Sequence, residues 1–463
     1  MTHHSPEHLG LAPGVIRLRP DDHFMVLMDT GDNPMTIGAL LLFDNPPAAE
    51  GDFASVMRTH FLDRLGHTPL PVRLVASPDG YDSDAWADIG TEAAATRIAV
   101  VPQNAHWSTS DLRSWLAQRS VARLDLTQCA FAIDIIPLIA GDLGAVYIRM
   151  HHAVADGIGF QTILGKLSDQ SAPFQGSRPP AHLPEAHEWR RLADARFFAM
   201  TGVLEAHRLT QQKALAKLQS LKDDPTAVRA RTPDLGGECL KDTGRAYATA
   251  SLSLSEIKAV AARLGGTVND IFMAMASGTI RQLLLERDIL PPEPIVVNSA
   301  RSYRRTEHGD YGNRIVALHP HLATHLPDPV NRLRAIQVSM AAERRRTHLD
   351  EAMLDQPERP YGARDRRTKF RARAADGGVA LPGNVSLSNV PGPSDGLSFA
   401  GHILRANYPV PIIGNGRFLN ITSRRNADRL DVGIMAIPSL VTDIGHASAL
   451  FSQSLHELRS IAS

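Results

Sequence analysis

Cysteine is almost missing from this chain. Cys129 and Cys239 are the only two in 463 residues, too few for a disulfide framework and without the spacing of metal ligands. Both are expected to be small core residues in a reducing compartment, and no metal site is expected. An excess of charge is lacking too. Lys plus Arg and Asp plus Glu both number 49, which argues against nucleic acid as a partner, since such proteins carry a basic excess. No stretch of about eighteen apolar residues offers a membrane span, and the opening residues lack the charged-then-apolar order of a secretion signal. The expectation is a cytoplasmic protein. Its length suffices for two domains, each with its own core.

What the chain does have is His151-His152-Ala153-Val154-Ala155-Asp156-Gly157. Upstream, Val146, Ile148 and Met150 alternate with Tyr147 and Arg149 at the period of a strand; downstream, Ile158, Ile163, Leu164 and Leu167 recur at helical spacing. The histidine pair therefore stands where a strand gives way to a helix. A histidine there can present a ring nitrogen to a cleft and take a proton from an alcohol near neutral pH, with Asp156 orienting the site from behind. The plainer possibility is a polar pair at a strand end. Adjacent histidines cannot be ranked by physics from sequence alone.

Residues 171–245 divide the chain into an N-terminal part, 1–170, and a C-terminal part, 246–463. Pro173, Pro179, Pro180 and Pro184 break regular structure, and a polar helical run from about Glu185 to Lys222 follows, which predicts a crossover linker. Beyond it, Ser253 and Glu256 have capping-box spacing, and Ile257, Val260, Ala261 and Leu264 form a stripe closed by Gly265-Gly266. In Thr267-Val268-Asn269-Asp270, Thr267 reads as an N-cap with Asp270 its partner. If that helix start faces a channel, the Asn269 amide can donate to a developing oxyanion. Ser388-Asn389-Val390-Pro391-Gly392-Pro393 is turn chemistry, either a rigid loop or a substrate contact. Leu419 to Thr422 and Leu430 to Ile434 read as two strands of a hairpin turning over 426–429.

HHxxxDG resembles the active-site motif of the chloramphenicol acetyltransferase-like superfamily, and further stretches resemble its bacterial wax ester synthase/diacylglycerol acyltransferase branch. In order, these are Arg19 to Thr30 with Asn33-Pro34-Met35, the histidine motif, Thr267 to Asp270, Tyr311-Gly312-Asn313-Arg314-Ile315, Ser388 to Pro393, Tyr408-Pro409-Val410 and Leu419 to Thr422. The resemblance implies an α/β fold: two chloramphenicol acetyltransferase-like domains with mixed sheets, joined by the helical linker, with the active-site channel between them. It implies transfer of a long-chain acyl group from acyl-CoA, a co-substrate rather than a cofactor, to diacylglycerol or a long-chain alcohol. His152 becomes the general base and His151 the structural neighbour. Asp156 would hold the loop by a salt bridge, Gly157 would let the backbone turn tightly beside substrate, and Asn269 would hold the oxyanion. Asp270, Arg304, Asn389, Pro391 and Gly392 fall to the substrate-contacting wall, with Arg304 a candidate partner for Asp156.

The chain departs from the family at Cys129-Ala130-Phe131, where Pro-Leu-Trp is usual, and at Ala300 to Arg304, which keeps only the serine and final arginine of Pro-Val-Ser-Val-Arg. Between 341 and 380, where relatives carry an apolar segment, stand Arg344, Arg345, Arg346, Arg359, Arg364, Arg366, Arg367, Lys369, Arg371 and Arg373. Acidic neighbours such as Glu343, Asp350, Glu351 and Asp365 make a solvated helix face the plain reading. The functional one is a landing surface for coenzyme A phosphates, an acyl carrier protein, or the anionic lipid of a membrane or lipid droplet. Two alternatives to the lipid enzyme are an acyltransferase that esterifies a polyketide, sugar or other metabolite, and a catalytically weak lipid-binding homologue.

Overall fold

The alternation before the histidine pair and the stripe after it become strand Leu143–His151 and helix Gly157–Leu167 in the computed structural model of the chain. The structure describes residues 10–45, 52–199, 201–220, 230–237, 240, 242–350, 362–375, 382–414 and 416–462. Cys239, Glu351 and Arg359 lie outside them. Cys129 is buried, as expected.

Two six-stranded mixed sheets form the body of this α/β fold. The first runs Ser398–Phe399, His402–Val410, Thr36–Asp44, Leu143–His151, Phe131–Ile139, Ile98–Val100, with only the last pair parallel. The second runs Ile315–Leu318, Val297–Ser302, Val385–Val390, Leu419–Asn426, Arg429–Ala436, Ala246–Ser253, with its parallel pairs in the middle. The predicted hairpin is present, with Asn426 facing Arg429 and Ala427 at φ +52° in the turn. A third, four-stranded sheet of Gly10–Ala12, Val15–Arg17, Ala85–Asp88 and Val72–Val75 is not anticipated from the sequence.

His402–Val410 crosses the division at 245/246. It belongs to the second half of the chain, yet pairs with Thr36–Asp44 in the first-half sheet. From there it reaches the second sheet: the backbone nitrogen of Asn407 donates to Asp431 at 2.8 Å, and the Tyr247 hydroxyl to the Pro409 carbonyl at 2.8 Å. A Cβ on Gly433 would stand 1.7 Å from the Pro409 oxygen, so only glycine allows this approach. The main core accordingly spans both halves, packing Leu40 and Tyr147 into one cluster with Tyr247, Ile434 and the helix Val268–Leu285.

The predicted helical run over 185–222 is two helices, Ala186–Ala199 and Thr201–Ser220. The first is docked, with Trp189 buried against Leu11, Val15, Ala85 and Ala87 of the small sheet. Its indole donates to Asp82 at 3.2 Å.

Candidate active site

The two histidines leave the strand in opposite circumstances. His151 is 1% exposed: its backbone nitrogen donates to Ala130, its Nδ1 accepts from the Ala153 amide at 3.1 Å, and its buried Nε2 lies 3.6 Å from Asp29. Burial opposes ionisation of Asp29, but His151 and Arg123 outweigh it and hold the carboxyl below the usual carboxylate range. His152 is half-buried. Its backbone is tied on both sides of Cα, the nitrogen donating to Met35 at 2.7 Å and the carbonyl accepting from Asn313 Nδ2 at 2.8 Å. Nδ1 is buried without a partner, and none of the described hydrogen bonds reaches Nε2. Burial holds the ring below the ordinary histidine pKa, against the pull of its own carbonyl and of Asp156. It is therefore neutral at pH 7, the state a proton acceptor needs.

Asp156 caps the helix that follows, accepting from the Gly159 amide at 2.8 Å. Its other oxygen accepts from Arg304 Nη2 at 3.1 Å and from the Arg314 amide at 2.8 Å. With Asp156 1% exposed and the Arg304 side chain 7%, this is a buried ion pair. Arg304 also donates to the carbonyls of Gly309, Tyr311 and Gly312, which fixes the turn 309–314 against the histidine loop. One carboxylate thus ties the helix start to the second half of the chain.

Gly157 shows no left-handed φ; it is the first residue of the helix, and a Cβ there would come within 3.2 Å of Val390. A side chain there would press on that neighbour, and no tight turn is involved. The loop after Val390 places Pro391, Gly392 and Pro393 opposite Ile158, Gln161 and Thr162 across an open groove of about 500 Å³. Gly392 is forced by packing, because a Cβ would stand 2.0 Å from the Arg425 carbonyl oxygen. Asn389 accepts from the Ser423 hydroxyl at 3.0 Å. Thr267 and Asp270 form a complete capping box at the start of Val268–Leu285, each side chain bonded to the other's backbone nitrogen. Asn269, beside them, is half-buried. Among the described residues no hydrogen bond joins Asn269 or Asp270 to the His152 loop.

His152, Asp156, Gly157 and Arg304 are thus brought together. The family model for the wax ester synthase/diacylglycerol acyltransferase catalytic domain matches residues 18–272, and that for the C-terminal domain matches 311–459. The chain belongs to the wax ester synthase/diacylglycerol acyltransferase family. It is an acyltransferase. A probable diacylglycerol O-acyltransferase of Mycobacterium tuberculosis is 26% identical over 456 residues, covering 95% of this chain and 98% of the relative. The O-acyltransferase WSD of Acinetobacter baylyi is 25% identical over 439 residues, covering 90% and 92%. Among solved structures, the family enzyme from Marinobacter aquaeolei superposes with a TM-score of 0.63 at 21% identity, covering 96% of this chain and 99% of that one. The starter condensation domain of rhizomide synthetase gives 0.56 at 13%, covering 100% and 97%. Both likenesses bear on the fold.

Two of the departures from the family pattern have defined settings in the fold. At Cys129-Ala130-Phe131 all three residues are buried, the Ala130 carbonyl receives the His151 amide, and burial pushes the Cys129 thiol up to about 11, far from a nucleophile. The basic segment is not the uniformly solvated face that its composition predicts. In the helix Gly362–Ala375, Arg364 and Lys369 are exposed, but Arg366 and Arg367 turn inward. They approach the two ring nitrogens of the buried His23 at 3.4 and 3.3 Å, and Arg367 donates to Asp84 at 2.7 Å. Sequence reasoning missed Asp22 and Asn313, which lie behind the His152 loop. Both stand in stretches that carry the family resemblance, with no role attached.

Proposed function

We propose that this acyltransferase moves a long-chain acyl group from acyl-CoA to the hydroxyl of a lipid alcohol, diacylglycerol or a long-chain alcohol, with His152 as general base. The observation that carries the reading is the state of His152: a ring kept neutral by burial, with Nδ1 enclosed and Nε2 taken up by none of the described hydrogen bonds. The acceptor oxygen attacks the thioester carbonyl while its proton passes to Nε2. The tetrahedral intermediate then collapses and expels the thiolate, which takes up that proton and leaves as the thiol. The thioester is already an activated acyl group, so the route needs no resident cofactor and no serine or cysteine nucleophile. Asn269 is the residue we assign to the oxyanion. The family and the names of the relatives support the lipid substrates. A long acyl chain would draw its affinity from apolar burial, roughly 0.8 kcal/mol per methylene.

Among the described residues no helix is long and apolar enough to cross a membrane. A lipid acceptor must then be met at a membrane or droplet surface, which we take to be a reversible contact.

The test is transfer by purified protein from labelled palmitoyl-CoA to a panel of hexadecanol, dioleoylglycerol and sugar acceptors. Ester should form with a lipid alcohol, and His152→Ala should lower the rate by about 10² to about 10⁴ at matched folded concentration. A wild-type rate in that variant would reject the base, and esterification of the sugars alone would reassign the acceptor.

A further inference from the structure

Behind the histidine loop, two stretches far apart in sequence meet through one side-chain amide. Asp22, 4% exposed on the helix Pro20–Met28, accepts at Oδ1 from both the backbone nitrogen of Asn313, at 2.6 Å, and its Nδ2, at 2.8 Å. The second hydrogen on that Nδ2 goes to the His152 carbonyl at 2.8 Å. Arg19 closes the circuit by donating to the Asn313 carbonyl at 2.9 Å. The preceding Gly312 has φ +76°, and a Cβ there would stand 2.7 Å from Asp22 Oδ2, so the approach requires glycine on both counts.

We propose that Asp22 is a positioning residue for acyl transfer, setting the place of His152 through Asn313. The inference rests on the reading of His152 as the base. An amide has two hydrogens in one plane, so anchoring one to Asp22 aims the other at the His152 carbonyl. With the His152 nitrogen held by Met35, the peptide groups on both sides of the His152 Cα are fixed. Turning the Asn313 amide over would set its oxygen against a carboxylate and a carbonyl, two acceptors, and so the pair of contacts selects one orientation. Burial raises the Asp22 carboxyl to about 7, outweighing Arg19 and the two bonds from Asn313. Oδ1 can accept whether or not the group is ionised. The requirement is thus for an acceptor oxygen and not for a charge, and an asparagine supplies one.

Steady-state kinetics with palmitoyl-CoA and whichever lipid alcohol the panel identifies decides the matter. Asp22→Leu and Asn313→Ala should each lower kcat roughly ten- to a hundredfold, the scale of a small misplacement at a reacting centre. KM for the donor should stay unchanged. Asp22→Asn should restore most of the rate. In a His152→Ala background, Asp22→Leu should lower the residual rate no further, because the residue it positions is gone. Full kcat in folded Asp22→Leu, a loss in Asp22→Asn as deep as in Asp22→Leu, or additive losses in the double variant would each overturn the proposal. If Asp22→Leu does not fold, Asn313→Ala takes its place in each comparison: full kcat in that variant, or a loss in Asp22→Asn equal to it, overturns the proposal just as well. A wild-type rate in His152→Ala removes the base reading itself, whereas an inactive His152→Ala beside a fully active Asp22→Leu removes only the positioning role.

Discussion

Burial decides what two chemically identical imidazoles can do. In His151, Nδ1 accepts from the Ala153 amide and Nε2 is buried beside Asp29, while His152 has Nδ1 enclosed and no described hydrogen bond at Nε2. Because burial depresses the His152 pKa, the ring stays neutral to lower pH than a free histidine does. The acid limb of kcat/KM should accordingly have its midpoint below 6.5, the ordinary histidine value, and a midpoint above it would contradict the burial argument. Asp22 has the opposite sign. Its carboxyl sits near 3.8 in the unfolded chain and about 7 in the folded protein, so the folded state holds the extra proton between those values. The stability it confers is complete below the lower value and is lost as pH rises through the upper one. Relative to Asp22→Asn, the wild type should lose about 2–4 kcal/mol between pH 4 and 7, read from urea midpoints across that range; a constant difference would reject the raised pKa. Asp156→Asn removes the charge that Arg304 faces in the interior, and it should cost about 3–5 kcal/mol and activity together. A variant that melts like wild type yet is inactive would point instead to a direct chemical role for the carboxylate.

At the scale of elements, the local signals are the ones that sequence carries. The strand and helix around the histidine motif, the αL closure at Gly265 and the box of Thr267 with Asp270 all depend on residues within a few positions of one another. Even there, tertiary contacts intervene. Ser253 caps its helix as expected, but the Glu256 carboxylate turns to Arg459 instead of completing the box. Thr267→Ala should lower stability by about 1 kcal/mol in a denaturant melt, the usual worth of an N-cap. What the sequence does not disclose are contacts between distant segments. Nothing near Asp22 announces Asn313, and nothing in the run of arginines from 344 to 373 says which of them point inward. That distinction has a consequence for lipid binding. Arg367→Ser removes one of the partners of Asp84 and should destabilise the fold, whereas the exposed Arg364 and Lys369 can meet an anionic surface at about 1 kcal/mol each. Changing these exposed two to Ser should weaken co-sedimentation with anionic liposomes without shifting the melting temperature. Unchanged, salt-insensitive binding would take that helix out of any lipid contact.

For the molecule as a whole, the division at 245/246 is a boundary in sequence and not in space. The sheet carrying the histidine pair is incomplete without His402–Val410, and the main core draws on both halves. A fragment of residues 1–170 would therefore present the long edge of Thr36–Asp44 to solvent, a template for pairing with other chains. Expressed alone it should aggregate, and co-expression with residues 171–463 should recover soluble complex, as read by size-exclusion chromatography. A monomeric, folded 1–170 would show that the inserted strand is dispensable. The same insertion bears on how the protein is made. Strand Thr36–Asp44 leaves the ribosome long before His402–Val410, one of its two neighbours. Through most of translation that edge has no cognate strand, and any pairing it finds must later be undone. The half that holds the histidine motif is made before the other and is among the last parts to be finished.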